Sequence, residues 1–148
     1  MEIEARSFEI ITEELGNTVL TPGTELIVKR CIHTSADFDY AKNLCFSEGV
    51  VEKALEAIKG GASIVTDTQM AKSGINKKAL ARYGGQVYCF MSDEDVAQTA
   101  KKTVPPAVAS MEKAAAMGED LIFAIGNAPT ALIHLYEMIR EGRIHPNW

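Results

Sequence analysis

Short apolar segments alternate with helical segments through most of this chain, and that alternation limits the possible folds more than any other feature. Residues 62–66, 86–91 and 121–125 have the length and composition of buried β-strands. The segments between them have apolar residues at helical spacing. Consecutive parallel strands need such crossover connections, whereas antiparallel strands do not. The pattern therefore predicts an α/β protein with a parallel sheet.

Apolar periodicity, capping residues and glycine or proline breaks predict where the helices lie. Residues 34–43 are polar and are expected to be irregular. The predicted helices span residues 7–15, a segment from a cap at Thr21 to 33, a segment from a cap at Ser47 to 59, residues 76–83, residues 92–102, a segment after Pro105-Pro106 to 117, and a segment from a cap at Asn127 to 141.

The segment Ile-Gly-Asn-Ala-Pro-Thr-Ala-Leu at 125–132 joins the last predicted strand to the last helix. Asn127 can cap this helix, and a proline in the first turn loses no hydrogen bond that the helix needs. The free N–H groups of such a turn, at the positive end of the helix dipole, can hold a carboxylate or a phosphate. An ordinary strand-to-helix turn explains the same residues. Four residues of the helix have core-facing spacing: Leu132, Leu135, Tyr136 and Ile139.

His33 is the best candidate for proton-transfer chemistry. It ends a predicted helix, and Arg30 lies three residues earlier on the same face. An arginine can hold a carboxylate by two hydrogen bonds, while an imidazole gives or takes a proton near neutral pH. The alternative is a solvated histidine that interacts with the negative end of the helix dipole.

Three loops follow the predicted strands, where parallel sheets bind their ligands: residues 67–70, 91–93 and 126–129. Asp67 can hold a hydroxyl or an amide there, or it can cap the turn that follows it. Only three parallel strands are predicted. An apolar strand edge therefore remains open and can pair with another chain.

Charge and composition exclude several classes of protein. The net charge is −5 and no basic cluster is present, which argues against a nucleic-acid partner. No run of about 18 apolar residues is present, so no membrane-spanning segment is expected. The first residues, Met-Glu-Ile-Glu, are acidic and unlike a signal peptide, which predicts a cytoplasmic protein.

Cysteine and histidine spacing gives no indication of a metal site. Cys31, Cys45 and Cys89 are an odd number at no metal-binding spacing, and we expect them to be reduced. His134 and His145 have no ligand partner three or four residues away. No metal is therefore predicted.

Four segments in this order resemble the precorrin-8X methylmutase (precorrin isomerase) family of cobalamin biosynthesis. They are residues 6–11, 28–33, 61–67 with Met70 and Gly74-Ile75, and 125–132. Together they extend over essentially the whole chain. The resemblance implies a three-layer, flavodoxin-like parallel sheet with helices on both faces. It also implies a homodimer whose site lies near the subunit interface.

The resemblance implies an isomerase that needs no external cofactor. It would move a methyl group within the tetrapyrrole precorrin-8X, or within cobalt-precorrin-8, to give hydrogenobyrinate or cobyrinate. The macrocycle presents the same carboxylates with and without cobalt. The resemblance makes His33 the proton donor and acceptor, and Ser7 and Arg30 substrate-binding residues. It places the following residues around the macrocycle: Asp67, Met70, Gly126, Asn127, Ala128, Pro129 and Thr130.

This chain departs from the family pattern in two places. The family commonly has an arginine where Pro106 stands, so one carboxylate contact is expected to be lost. Family members also continue past Pro146 with further strands and a glycine-rich loop. Residues 1–148 are accordingly expected to form a single precorrin-isomerase-like domain without those strands.

Two other hypotheses follow. The first is a non-catalytic relative that binds tetrapyrroles or only self-associates. The second is an unrelated flavodoxin-like binding module or a signalling receiver. A receiver needs a cluster of acidic residues at the end of the first strand, and Asp67 alone does not supply one.

Overall fold

A computed structural model of the protein describes residues 2–100, 104–118 and 120–145. The chain divides into two compact units, Met1–Glu52 and Lys53–Trp148. In the described part of the chain, no helix is both long and apolar enough to cross a membrane.

The first unit is helical. It contains α1 (Glu2–Leu15), α2 (Glu25–Ser35) and α3 (Tyr40–Asn43), and α4 (Val50–Lys59) begins at its end. The core of this unit forms around Ile11 of α1 and around Val28 and Ile32 of α2. These side chains are at most 5% exposed, so the two helices pack against each other through them.

The starts of three helices differ from the prediction. α1 begins at Glu2 rather than at residue 7. α2 and α4 begin later than their predicted caps at Thr21 and Ser47. Gly23 and Gly49 explain both delays, since their φ angles of +82° and +67° lie outside the helical region. Residues 34–43, expected to be irregular, include the end of α2 and the short helix α3.

The second unit contains a parallel sheet with the strand order β2-β1-β3. The strands are β1 (Ser63–Thr66), β2 (Val87–Tyr88) and β3 (Leu121–Ala124). The predicted α/β fold with one parallel sheet is therefore confirmed. This order, with the first strand in the centre, is also how a flavodoxin-like sheet begins. β2 is shorter than predicted, and at its last residue the carbonyl of Tyr88 accepts a hydrogen bond from the Thr66 hydroxyl at 3.3 Å.

Helices connect these strands as predicted, with one addition. The remaining elements are α5 (Gln69–Gly74), α6 (Lys77–Ala81), α7 (Glu94–Ala100), α8 (Pro106–Ala115) and α9 (Pro129–Arg140). α5 is too short to show apolar periodicity, but Thr68 caps it by accepting the N–H of Ala71 at 3.1 Å. The predicted end of α7 at 102 lies outside the described residues.

The predicted core face of α9 is wrong for three of its four residues. Leu135 is buried, whereas Leu132, Tyr136 and Ile139 are 56%, 59% and 38% exposed. The buried side chains are Ala131, Leu135 and Met138, and the first and last of these share a core cluster with Met111 and Ala114 of α8. α9 has two adjacent apolar stripes, and spacing alone does not show which one faces the core. The predicted cap is also wrong, because Ala128 rather than Asn127 is the N-cap.

Gly85 lies where the chain enters β2 beside the start of β1. A Cβ atom at this position would lie 2.4 Å from the carbonyl oxygen of Ala62 and 3.1 Å from the side chain of Leu80. Real Cβ atoms do not approach a backbone oxygen so closely. Only glycine therefore allows this close approach of the two segments.

Candidate functional site

In the first unit, α1 and α2 bring Ser7 and His33 together. Ser7 Oγ lies 2.7 Å from His33 Nδ1, within hydrogen-bond distance. The hydroxyl donates or accepts this bond depending on the tautomer of the ring. In either case the bond occupies Nδ1. Nε2 is then the ring nitrogen that can exchange a proton with a ligand.

Arg30 and His33 both contact the ring of Phe8. The Arg30 guanidinium carbon lies 5.2 Å from the ring centroid. The His33 ring meets Phe8 edge to face, with centroids 5.7 Å apart and planes at 70°. Arg30 also forms an exposed ion pair with Glu4. A carboxylate of the protein therefore occupies the guanidinium that we predicted to hold a substrate carboxylate.

A cavity of about 580 Å³ lies beside the Ser7–His33 pair. This volume is within the usual range for small-molecule sites. Four of its lining side chains are polar or charged: Arg6, Ser7, Glu14 and His33. The rest of its lining is apolar: Ile3, Ile10, Ile11, Ile32, Ala36 and Phe38. The imidazole therefore borders a largely apolar surface, against which a flat ring system can pack.

In the second unit, Asp67 binds the turn that leads into α9. Its Oδ2 accepts the backbone N–H groups of Gly126, Asn127 and Ala128 at 3.2, 2.7 and 2.8 Å. Asp67 is 1% exposed, and its buried Oδ1 has no hydrogen-bond partner among the residues that the structure describes. The predicted anion-binding turn does hold a carboxylate, but this carboxylate belongs to the protein. The N–H groups that we predicted to be free are therefore engaged.

The hydrogen bonds to Asp67 favour its charged form. Burial raises the pKa of this carboxyl, but the N–H groups of Asn127, Ala128 and Gly126 outweigh burial and hold the pKa below its ordinary value of 3.8. Since the folded pKa is the lower one, the stability that Asp67 contributes is present above pH 3.8 and is lost as the pH falls below it.

The side chains of this turn remain accessible. Asn127, Pro129 and Thr130 are exposed, and Ala128 is partly buried. Met70, which the sequence placed in the loop 67–70 after β1, lies in α5 and is 83% exposed. Gln69 Nε2 lies 3.3 Å from Ser92 Oγ, which joins this loop to the loop after β2. Residues of the predicted loop 67–70 thus contact both of the other strand-end loops within the second unit.

Two features of the site were missed at the level of sequence: the contacts of Glu4 and Phe8 on α1, and the contact of Asp67 with the turn after β3. The sequence contains a signal for the first of them only. Glu4, Ser7, Phe8 and Ile11 have the spacing of one helical face, so a helix starting at residue 2 would have placed Glu4 and Phe8 with Ser7. Thr66 pairs with Ala124 in the sheet. Asp67 is therefore level with the start of the turn after β3.

Among the described residues, no group of three or more His, Cys, Asp and Glu side chains is arranged to hold a metal ion. His134 instead lies 2.7 Å from Glu112 Oε1 through its Nε2, and Arg143 binds the same carboxylate.

The second unit is a parallel α/β unit, and the first unit holds a histidine–serine pair beside an apolar cavity, so the chain is an α/β protein with a candidate ligand-binding site. Comparison with known families shows to which family of proteins the chain belongs. The precorrin-8X methylmutase family matches residues 2–148, and the chain belongs to this family.

Individual relatives agree with this assignment. The cobalt-precorrin-8 methylmutase of Priestia megaterium is 42% identical over 146 residues, which cover 98% of this chain and 65% of that protein. The enzyme of the same name from Leptospira interrogans is 41% identical, with 97% and 67% covered. The crystal structure of precorrin-8X methylmutase from Thermus thermophilus superimposes with a TM-score of 0.89 at 37% identity, covering 98% of this chain and 70% of that one. The chain thus spans about two thirds of the length of these relatives.

Proposed function

We propose that the protein is an isomerase that moves a methyl group within precorrin-8X or cobalt-precorrin-8 to give hydrogenobyrinate or cobyrinate. The observation that carries this proposal is the Ser7–His33 pair beside an apolar cavity, in a chain of this family. Relatives named for the cobalt-containing and the cobalt-free substrate are both similar to this chain.

His33 is the proposed acid and base. Its Nε2 gives a proton to the macrocycle as the methyl group migrates and takes a proton back as the conjugated product forms. The isomerisation then leaves the imidazole in its starting state, so no external cofactor is required. The bond from Ser7 to Nδ1 holds the ring orientation during both transfers.

Arg30 is the proposed anchor for a substrate carboxylate. It exchanges its partner Glu4 for the substrate, since both ligands offer a carboxylate to the same guanidinium. Around the macrocycle we propose contacts from the exposed side chains of Met70, Asn127 and Thr130. Gly126, Ala128 and Pro129 then shape the turn that carries Asn127. We also propose that residues 1–148 act as one catalytic domain.

The direct test is conversion of authentic precorrin-8X and cobalt-precorrin-8 by the purified protein. We expect the visible absorbance to change as the more conjugated product forms. Because the substrate and the product are isomers of equal mass, chromatography must separate them. A protein that binds the substrate without any spectral change contradicts the proposal.

A second candidate is a non-catalytic relative that binds the tetrapyrrole. Pro106 favours it, because this residue begins α8 and offers no cation where the family resemblance leads us to expect an arginine. Titration with the product separates the two candidates. Tight product binding without turnover supports the second candidate, and turnover excludes it.

We further propose a homodimer, based on the exposed apolar face of α9. Leu132, Tyr136 and Ile139 are 56%, 59% and 38% exposed, although all three are apolar or aromatic. We expect Leu132→Glu to convert the dimer to a monomer at micromolar concentration, as measured by analytical ultracentrifugation.

Leu55→Glu is the matched control for this test, because Leu55 is a leucine on another helix with a similar exposure of 50%. It should leave the dimer intact. A wild-type protein that sediments as a monomer contradicts the homodimer. Dissociation by Leu55→Glu alone contradicts the assignment of the interface to α9.

We also propose a cytoplasmic location for the protein. Cys31, Cys45 and Cys89 are all free thiols, and unpaired cysteines are typical of reducing compartments.

A further inference from the structure

The buried carboxylate of Asp67 beneath the turn before α9 has a role beyond those described so far. We propose that Asp67 is a positioning residue, which holds residues 126–128 in the shape that presents Asn127 and Thr130 to the substrate and does not itself touch the substrate. This inference rests on the proposed function and deepens it by separating the residues that contact the macrocycle from the residue that supports them.

The carboxylate of Asp67 is directed at the backbone of this turn. Three consecutive N–H groups converge on Oδ2 at 2.7 to 3.2 Å. Such a cluster of amides at the start of a helix would bind a substrate anion if it were vacant. Here the donors are already engaged, and the carboxylate that engages them is 1% exposed. The substrate therefore meets the side chains of the turn rather than its N–H groups.

Asn127 connects the support to the substrate. Its N–H donates the shortest of the three bonds to Asp67, at 2.7 Å, while its side chain is exposed. Thr130 is also exposed and lies in the first turn of α9. A change in the backbone at 126–128 must therefore displace Asn127 directly. We therefore expect weaker substrate binding. Proton transfer should change little, because His33 and its bond to Ser7 are not altered.

The charge of Asp67 matters as well as its shape. Asparagine has the same size, and its amide oxygen can accept from the same N–H groups. The charge assistance that strengthens these bonds is lost in that variant. Asp67→Asn is therefore a conservative substitution that weakens the support without leaving a hole. Asp67→Ala removes the acceptor altogether and should have the larger effect.

The test compares the steady-state kinetics of these two variants. We expect KM to rise about tenfold for Asp67→Asn and more for Asp67→Ala, with kcat changed much less, because binding rather than proton transfer is affected. Glu112→Gln is the matched control. Glu112 is a carboxylate of the same unit. It accepts a hydrogen bond from Arg143 and lies within hydrogen-bond distance of His134, and neither of these partners belongs to the turn at 126–128. An equal rise in KM for Glu112→Gln would show a general loss of stability and would overturn the inference. So would a fall in kcat at constant KM for Asp67→Asn.

A second measurement does not depend on activity. The amide proton resonances of residues 126–128 should move upfield in Asp67→Asn relative to the wild type at neutral pH, since a charged acceptor shifts its donors downfield. Unchanged resonances would overturn the inference even in an active enzyme. If the wild type shows no turnover, the proposed isomerase activity fails separately, and the affinity for the product replaces KM as the measure of binding.

Discussion

We expect His33→Ala to lower kcat of the proposed isomerase by about 100- to 10,000-fold, the usual contribution of a general acid and base, while the affinity for the tetrapyrrole stays close to that of the wild type. The effect follows from the position of the imidazole, which borders the cavity and is oriented by Ser7 through Nδ1. Turnover followed by absorbance and product titration of the same variant measure the two quantities separately.

Two further substitutions serve as comparisons for His33→Ala. Ser7→Ala should reduce kcat less than His33→Ala, because it removes the orientation of the ring but leaves the ring itself. His145→Ala changes another exposed histidine, in the C-terminal segment, and should leave kcat unchanged. Full activity in His33→Ala would exclude this histidine as the proton donor, whatever the other variants show.

Gly85→Ala lowers the free energy of unfolding by about 3 kcal/mol, at the upper end of the effects of overpacking. The reason is the 2.4 Å approach between the new Cβ and the carbonyl oxygen of Ala62. Backbone must move to relieve this overlap, and Ala62 directly precedes β1, the central strand. Urea denaturation followed by circular dichroism measures the change from the midpoint and the slope.

Gly74→Ala provides the matched control for this measurement. Gly74 is the last residue of α5, and among the described residues no atom outside its chain neighbours and the backbone of its own helix lies within 4 Å of the position that its Cβ would take. Alanine there should leave the stability unchanged or raise it by up to about 1 kcal/mol, since alanine favours a helix over glycine. Equal losses in both variants would show that the close approach at Gly85 is not the cause.

The α/β fold could be predicted from the sequence because strand-like segments alternate with helical segments along the chain. Strand-length apolar runs at 62–66, 86–91 and 121–125 indicated the parallel sheet, because each run was separated from the next by helical spacing. Boundaries were less predictable. The start of α2 depended on the backbone conformation of Gly23, with a φ of +82°, and residue type alone gives no φ angle.

The two parts of the candidate site differed in how far the sequence could define them. Arg30 and His33 lie three residues apart, so helical geometry was enough to place them on one face. The contact of Asp67 with Asn127 joins residues that are 60 positions apart. It arises from the pairing of β1 with β3, and only knowledge of which strands are neighbours could have predicted it.

The ion pair between Arg30 and Glu4 should make binding at this arginine selective, because a ligand must displace Glu4. Both side chains are partly in water, 58% and 43% exposed, so separating them costs only about 0–1 kcal/mol. Glu4 is nevertheless tethered beside the guanidinium at high local concentration, and a small free anion such as acetate competes with it poorly. A molecule that carries many carboxylates on one rigid frame competes better. Once its ring is bound, its carboxylates are also held at high local concentration near the guanidinium. The simple carboxylic acids that are abundant in cells should therefore not displace Glu4 from Arg30.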